Sequence, residues 1–308
     1  METIFGLEEI KPGIPSVVTI GVFDGVHVGH QAIMRIVRAD SVELGSRSVA
    51  VTFNRNPVEV VRSGSKIRYI TTLRQKLELI AEQGMDATLV LPAERWLLDM
   101  PAEDFVSKIL CDKLSTIQVV VGKNFVFGKD RTGNADLLRQ MGAKRGFEVV
   151  AVSPIRLDDI LVSSTAIRNL LSGGKVEKAN VLLGHTFVLE GRVVSGKGVG
   201  RSIGFPTANI EPAANQVIPA KGVYAVSVNL GNNKYNGVLN IGRCPTISDK
   251  TKRESIEVHL IGFGGDLYGQ CLEVAFHHRL RDEECFPDVE GLRQQIIRDI
   301  EVAKGLVE

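Results

Sequence analysis

The sequence predicts two domains of different class: an α/β domain with a mostly parallel sheet over residues 1–184, and a β-rich domain over 185–308 that ends in a helix. Three observations carry this expectation. Strand-like and helix-like segments alternate through the first half. After Gly184 five short β-rich runs follow one another, separated by glycine or proline. Leu292, Ile296, Ile297 and Ile300 then repeat at helical spacing. The 308 residues, 44% hydrophobic and 24% charged, have the composition of a folded protein with one large or two ordinary domains.

The elements follow in order. VVTIGV and RSVAVTF are β-branched runs, and Thr72 with Gln75 forms a capping box ahead of LRQKLELIAEQ, which Gly84 ends. ATLVLP, a helix from about Pro101 to Leu114, the strand IQVVVG, the helix-like NADLLRQMGAKRG and the strand FEVVAVSPI complete the alternation. Such βαβ units imply a parallel sheet covered by helices on both faces, with ligands at the carboxyl ends of its strands. Two short helices, STAIRNLLSGG and VEKANVLLG, precede the change of grammar. FVLEGRVV, GVYAVSVNL, KYNGVLNIG, SIEVHLIGF and CLEVAFHHRL then predict an antiparallel barrel or sandwich, closed by a helix from about Val289 to Ala303. Trp96, the single tryptophan, is expected in packing, and HHR at His277–Arg279 on a strand surface.

Charge and cysteine usage exclude some classes. A net charge of +1 gives no support to extended nucleic-acid binding or to adhesion to an anionic membrane, though small anionic ligands fit. Cys111, Cys244, Cys271 and Cys285 lack any C-x-x-C spacing and are expected to be reduced. No apolar run approaches the roughly 18 residues of a membrane span, and the first residues lack a basic region followed by an apolar core. A cytoplasmic protein is expected; its oligomeric state is not legible.

GVFDGVHVGH, Gly21 to His30, lies where the run Val17–Ile20 gives way to a helix-like segment. A glycine-containing strand-to-helix turn offers unpaired N–H groups and a positive dipole end to an anion. Gly25 and Gly29 let backbone approach a ligand, and histidines at i and i+3 present two ring donors on one face. A zinc site would need two more ligands, which are absent nearby. Ordinary packing is the default for an isolated H-x-x-H pair, but the glycines and the aspartate favour the anion site.

FDGVHVGH resembles the H-x-G-H signature of nucleotidyltransferases that move a nucleoside monophosphate from ATP or CTP, and VSSTAIR resembles their second, Ser/Thr-rich signature. The resemblance implies that His27 and His30 are the catalytic pair that stabilises the α-phosphoryl group in flight. It implies that Gly21, Phe23, Asp24 and Gly29 meet the nucleotide, and that Ser163, Ser164, Thr165 and Arg168 grip its phosphates. Arg168 shares a helical face with Ser164 or Thr165, and its planar fork suits phosphate oxygens. A phosphate acceptor is already ionised, so no strong base is needed and catalysis reduces to positioning and charge stabilisation.

In the second half GRVVSGKGVGRSIGFPTANI contains G-x-x-x-x-G-K, but Gly198 follows where a P-loop needs Ser or Thr, and the reading continues into loop, not helix. Thr207 and Asn209 alternate to one side of an extended segment and offer hard oxygens suited to Mg²⁺ or phosphate. GRSIGFPTANI, AKGVYAV, GVLNIGRCPT, SIEVHLIGFGGDLYG and LRDEECF, in that order, resemble riboflavin kinase. Together the halves resemble the bacterial bifunctional riboflavin kinase and FMN adenylyltransferase family, also called FAD synthetases. That resemblance implies a Rossmann-like nucleotidyltransferase domain and a Greek-key-like β-barrel. It implies ATP as co-substrate, Mg²⁺ as cofactor, and riboflavin, FMN and FAD as the other ligands. Thr207 and Asn209 would bind metal and nucleotide; Gly196, Lys197, Gly198, Arg201 and Gly204 would surround the kinase nucleotide; and Glu257 would be the base for the neutral 5′-hydroxyl of riboflavin. Glu257 and His259 share one strand face. Asn124 and Arg281 are the expected flavin contacts. Where the family often shows F-x-P-H-P this chain has FNRNP, so Arg55 and Asn56 predict altered contacts from that loop. Two alternatives stand beside this reading: a nucleotidyltransferase with another phosphate acceptor, and a flavin-binding regulator with reduced catalysis.

Overall fold

The structure is a computed structural model that describes all residues except 11, 63, 65, 197–198, 232, 244–253 and 308. It divides into two compact units. The first comprises Met1–Ile67 and Leu73–Ser163; the second comprises Arg68–Thr72 and Ser164–Glu308.

The first unit is built on a parallel sheet of β1 (Glu2–Phe5), β2 (Ser16–Ile20), β3 (Arg47–Phe53), β4 (Ala87–Leu91), β5 (Thr116–Gly122) and β6 (Glu148–Val152), in the spatial order β1-β4-β3-β2-β5-β6. The sequence reading places nothing at Glu2–Phe5, where β1 adds an edge beside β4. The order reverses between β2 and β5, which makes the mouth between their carboxyl ends the natural ligand crevice. Strand alternation explains why these runs are mostly apolar, since each face meets a core. Val18, Val49, Val51, Val119 and Val121 enter one core, whereas Val17, Ala50 and Val120 enter the other with Met34 and Val37 of α1 (Val28–Glu43) and Ile80 of α2 (Leu73–Glu82). The helix expected from Pro101 is a short α-turn, Ala102–Asp104, that continues as a π-helix over Phe105–Cys111. α3 (Ala135–Arg145) is capped by the Asn134 side chain and stopped by Gly146 in the left-handed region.

The second unit is a closed antiparallel barrel, not a sandwich. β7 (Phe187–Val194), β8 (Ala208–Pro212), β9 (Gly222–Leu230), β10 (Asn233–Arg243), β11 (Glu254–Leu260) and β12 (Cys271–Arg281) close in the order β7-β8-β11-β10-β9-β12. Ahead of it lie α4 (Ser164–Ser172) and α5 (Val176–Leu183); Asn180 of α5 donates to Phe276 O and accepts from Phe187 N at 2.8 Å each. α6 (Val289–Leu306), capped by Asp288, packs Ile300 and Ala303 on Val223 and Ala225. The remaining contribution comes from far upstream. Arg68–Thr72 forms a strap in which Tyr69 N donates to Asn215 O and Val217 N to Tyr69 O, both at 2.7 Å. Buried Gln216 donates to Ile70 O at 3.1 Å and to Val188 O at 2.8 Å, and Thr72 Oγ1 donates to Glu190 at 2.9 Å.

Two expectations are corrected here. The glycine-rich stretch does not run only into loop, because Val199–Ser202 forms one helical turn after β7. Trp96 is not in a core: it is 49% exposed and donates from Nε1 to Glu94. Cys111, Cys271 and Cys285 are free thiols, and Cys244 lies outside the described residues. Among the described residues no helix is long and apolar enough to cross a membrane.

Candidate active sites

In the first unit, β2 ends and the chain turns into α1 through Gly21–His27. The turn is held in unusual backbone: Gly25 has φ +81°, Phe23 +52° and Val26 +36°. A β-branched residue at positive φ is a rare conformation that surroundings must enforce. Phe23 folds back over Gly21, where an added Cβ would lie 2.7 Å from the ring, and meets His30 edge-on with centroids 5.2 Å apart.

His27 is the N-cap of α1, and its Nδ1 accepts from His30 N at 3.4 Å. That bond assigns the proton of neutral His27 to Nε2. The two imidazoles stack, 3.6 Å between centroids and 16° between planes. Gly29 makes this possible, since a Cβ there would stand 3.2 Å from the His27 ring; its part is room for the imidazole, beside any approach to ligand. Burial, then the His27 charge, then that of Lys76 push the His30 pKa well below its ordinary value, so this imidazole is neutral at pH 7. Its Nδ1 is buried without a hydrogen-bond partner. Asp24 is buried and interacts with the Lys76 ammonium.

A cavity of about 810 Å³ opens at the switch point and shares Gly21 and Val22 with the histidine turn. Its wall is apolar and aromatic, with Phe53, Leu97, Phe105, Phe125 and Phe127, and its polar groups include Asn56, Asn124, Arg62 and Arg131. Phe125 and Phe127 are stacked at 5.5 Å. FNRNP has a local explanation. Arg55 donates to Ala93 O, Asn54 accepts from Ala93 N, and Asn56 caps the short helix Pro57–Val61 through Val58 N at 3.0 Å. Asn56 also lines the cavity, whereas Arg55 is tied to the backbone. Ser163 is the last residue of the first unit, and Ser164, Thr165 and Arg168 stand on α4 of the second, where Arg168 is one turn from Ser164 and from Thr165.

In the second unit Asn209 of β8 is in register with Glu257 of β11, and Glu257 with Asn240 of β10. Thr207 Oγ1 donates to Glu257 at 3.3 Å. Ile256, Val258 and Leu260 point inward, which leaves Glu257 and His259 together on the outer face, His259 against Pro206 O at 2.9 Å. Gly196 packs so closely on the Asn209 amide that any Cβ would displace it, and Gly200 packs on Phe205 O and Thr207. Arg201 stands on the turn Val199–Ser202, Gly204 follows it at φ +90°, and Lys197 and Gly198 lie outside the described residues. Thr207, Asn209 and Glu257 thus present hydroxyl, amide and carboxylate oxygens on one face, a set suited to Mg²⁺ shared with phosphates. Arg281 is differently engaged: its fork grips Asp299 of α6 through three hydrogen bonds of 2.8–3.1 Å, and its charge lies over Phe286.

Comparison with known proteins assigns a family to each half. The sequence model described as FAD synthetase matches residues 10–166, and that described as riboflavin kinase matches residues 183–307. A bifunctional riboflavin kinase/FMN adenylyltransferase of Pseudomonas fluorescens is 39% identical over 307 residues, which is 99% of this chain and 98% of that protein. The chain belongs to the bifunctional riboflavin kinase/FMN adenylyltransferase family. The Escherichia coli K12 relative of the same description is 37% identical, over 97% of this chain and 96% of its own. A solved structure from Streptococcus pneumoniae, described as a macrolide-efflux protein, superposes with a TM-score of 0.90 at 28% identity, covering 99% of each chain.

Sequence reasoning did not single out the cavity walls at Pro57–Arg62, Arg95–Asp99 and Gly128–Arg131, nor Lys76. Lys76 left a trace, because it falls in the apolar stripe of α2 with Leu79 and Ile80, where an unpaired lysine is almost never found.

Proposed function

We propose that the chain makes FAD in two steps, as a cytoplasmic enzyme: residues 185–308 phosphorylate riboflavin to FMN, and residues 1–184 adenylylate FMN with release of pyrophosphate. The observation that carries this reading is the shared wall of the histidine turn and the 810 Å³ aromatic cavity, a stacked imidazole pair beside an apolar, aromatic space with room for a flavin. In adenylylation an FMN phosphate oxygen attacks the α-phosphorus of ATP, and the bond to the pyrophosphate oxygen breaks. His27 and His30 donate hydrogen bonds to the oxygens on which charge builds, at the positive end of α1. Gly21, Phe23, Asp24 and Gly29 shape that turn, and Asn124 offers its amide to FMN; for Ser163, Ser164, Thr165 and Arg168 the role of phosphate donors rests on the resemblance of VSSTAIR to the second signature.

In the kinase step the 5′-hydroxyl oxygen of riboflavin attacks the γ-phosphorus while its proton passes to Glu257, and ADP departs with the electrons of the broken bond. Thr207 and Asn209 would hold Mg²⁺, which when bound neutralises charge on the ATP phosphates. Gly196, Arg201 and Gly204 border the nucleotide, and the sequence resemblance assigns Lys197 and Gly198 to the same ligand. Arg281, committed to Asp299, serves flavin binding through the loop that it fixes.

A timed chromatographic assay of the purified chain with riboflavin, ATP and Mg²⁺ tests the reading. FMN that rises first and is then converted to FAD is expected. Flavin binding without either product would overturn it in favour of a regulator, and FMN without FAD would overturn the adenylyltransferase half.

A further inference from the structure

Lys76 is the buried charged group closest to the histidine turn that the two-step reading leaves without a part. Its side chain is 7% exposed, and its ammonium makes three hydrogen bonds: to Phe53 O at 2.7 Å, Val22 O at 3.2 Å and Thr52 Oγ1 at 3.2 Å. Thr52, itself fully buried, also donates to Val22 O at 3.1 Å. The network therefore joins the end of β3 to the residue that precedes strained Phe23. Three acceptors converge on three N–H bonds, a match that a planar guanidinium does not reproduce.

We propose that Lys76 is a positioning residue for adenylyl transfer: its ammonium clamps the ends of β2 and β3 and so fixes the turn that carries His27 and His30. The inference rests on the adenylyltransferase reading above. The clamp explains how Phe23 and Val26 are kept at positive φ, a conformation that relaxes unless its neighbours enforce it. It also places a positive charge beneath an anion site, at the carboxyl end of the sheet.

Protonation is part of the device, because a neutral amine has two N–H bonds for the three acceptors. Burial brings the Lys76 pKa down to about 8, with Asp24 on the turn acting in the opposite sense. The titratable groups that face it are Asp24 and, on α1, His30 with His27 behind it; from β3 come only a hydroxyl and a carbonyl.

The test measures kcat and KM for FAD formation from FMN and ATP between pH 7 and 9.5, for the wild type and K76M, with riboflavin phosphorylation as control in the same preparations. The wild-type kcat should fall about tenfold between pH 7 and 9 as Lys76 loses its proton. K76M should be about a hundredfold slower at pH 7, with no such alkaline fall, a KM for FMN close to wild type, and an unchanged kinase rate. A K76M rate within threefold of wild type, an alkaline fall shared by both proteins, or equal loss of both activities would overturn the proposal. If K76M does not accumulate folded, the wild-type profile decides, and a rate flat to pH 9.5 overturns it. A wild type that makes no FAD at any pH removes the adenylyltransferase reading itself, a result distinct from an active wild type beside an equally active K76M.

Discussion

K76M should abolish one component of the pH dependence of stability in the first unit. Folding brings the Lys76 pKa from 10.5 to about 8, chiefly because burial penalises the ammonium. At 1.36 kcal/mol per unit, the drop corresponds to about 3 kcal/mol carried by the folded chain while the lysine is charged. The unfolded chain keeps this proton until about pH 10.5, whereas the folded chain releases it near 8. Between those values the unfolded state binds more protons, so stability rises with pH. The penalty is therefore complete below pH 8 and relieved above it, by about 2 kcal/mol at pH 9.5. K76M lacks this term. Urea unfolding of both proteins at pH 7 and 9.5 isolates it, because every other titrating group cancels in the difference of differences. The assay is selective, since Trp96 is the single tryptophan and lies in the first unit. Wild type should gain about 2 kcal/mol more than K76M on going to pH 9.5. Equal changes in both would refute the argument that Lys76 is held as a buried cation at neutral pH.

Other outcomes follow from the two sites. Alanine at both His27 and His30 should reduce FAD formation from FMN on the order of a hundredfold or more while riboflavin is still phosphorylated, as product chromatography would show. E257Q should reverse that pattern, stopping FMN formation by a similar factor and sparing adenylylation of supplied FMN; a kinase rate equal to wild type would remove Glu257 as base. D299L leaves the half-buried Arg281 charge without its carboxylate partner and should destabilise the second unit by about 1–3 kcal/mol in denaturant titrations. The double variant R281M/D299L should recover most of that loss.

The sequence made the architecture legible where periodicity was strong. Runs such as Val17–Ile20 and Val119–Val121 are buried throughout because both faces of the sheet are covered. Phe187–Val194 of the barrel alternates because only one face is covered, whereas Gly222–Leu230 is buried over seven residues where Val223 and Ala225 meet α6. β1 escaped because an edge strand of four residues with two exposed positions carries little pattern. Strand periodicity alone did not separate barrel from sandwich, since closure depends on β8 pairing with β11 through two residues, Ala208 and Asn209; the family resemblance pointed to the barrel that the structure shows. His27, His30, Thr207 and Asn209 stood out as polar groups in tight glycine or strand contexts, whereas Glu257 looked like an ordinary strand carboxylate and was marked only by the family resemblance. The cavity did not, because its wall gathers separate segments whose side chains look like ordinary core. Lys76 was hidden for the opposite reason: its three partners are a hydroxyl and two carbonyls, which no charge pattern announces.

The strap Arg68–Thr72 has a consequence for synthesis. Gln216, which holds Ile70 O, lies 146 residues further along the chain. At about 5–20 residues per second, the strap emerges from a ribosome roughly 7–29 s before its partner exists. For that interval Ile70, fully buried in the finished protein, is exposed in a nascent chain whose flanking helix α2 can already fold. The strap thus makes these seconds the period in which a chaperone would find an apolar handle on this chain, and it ends when the barrel closes.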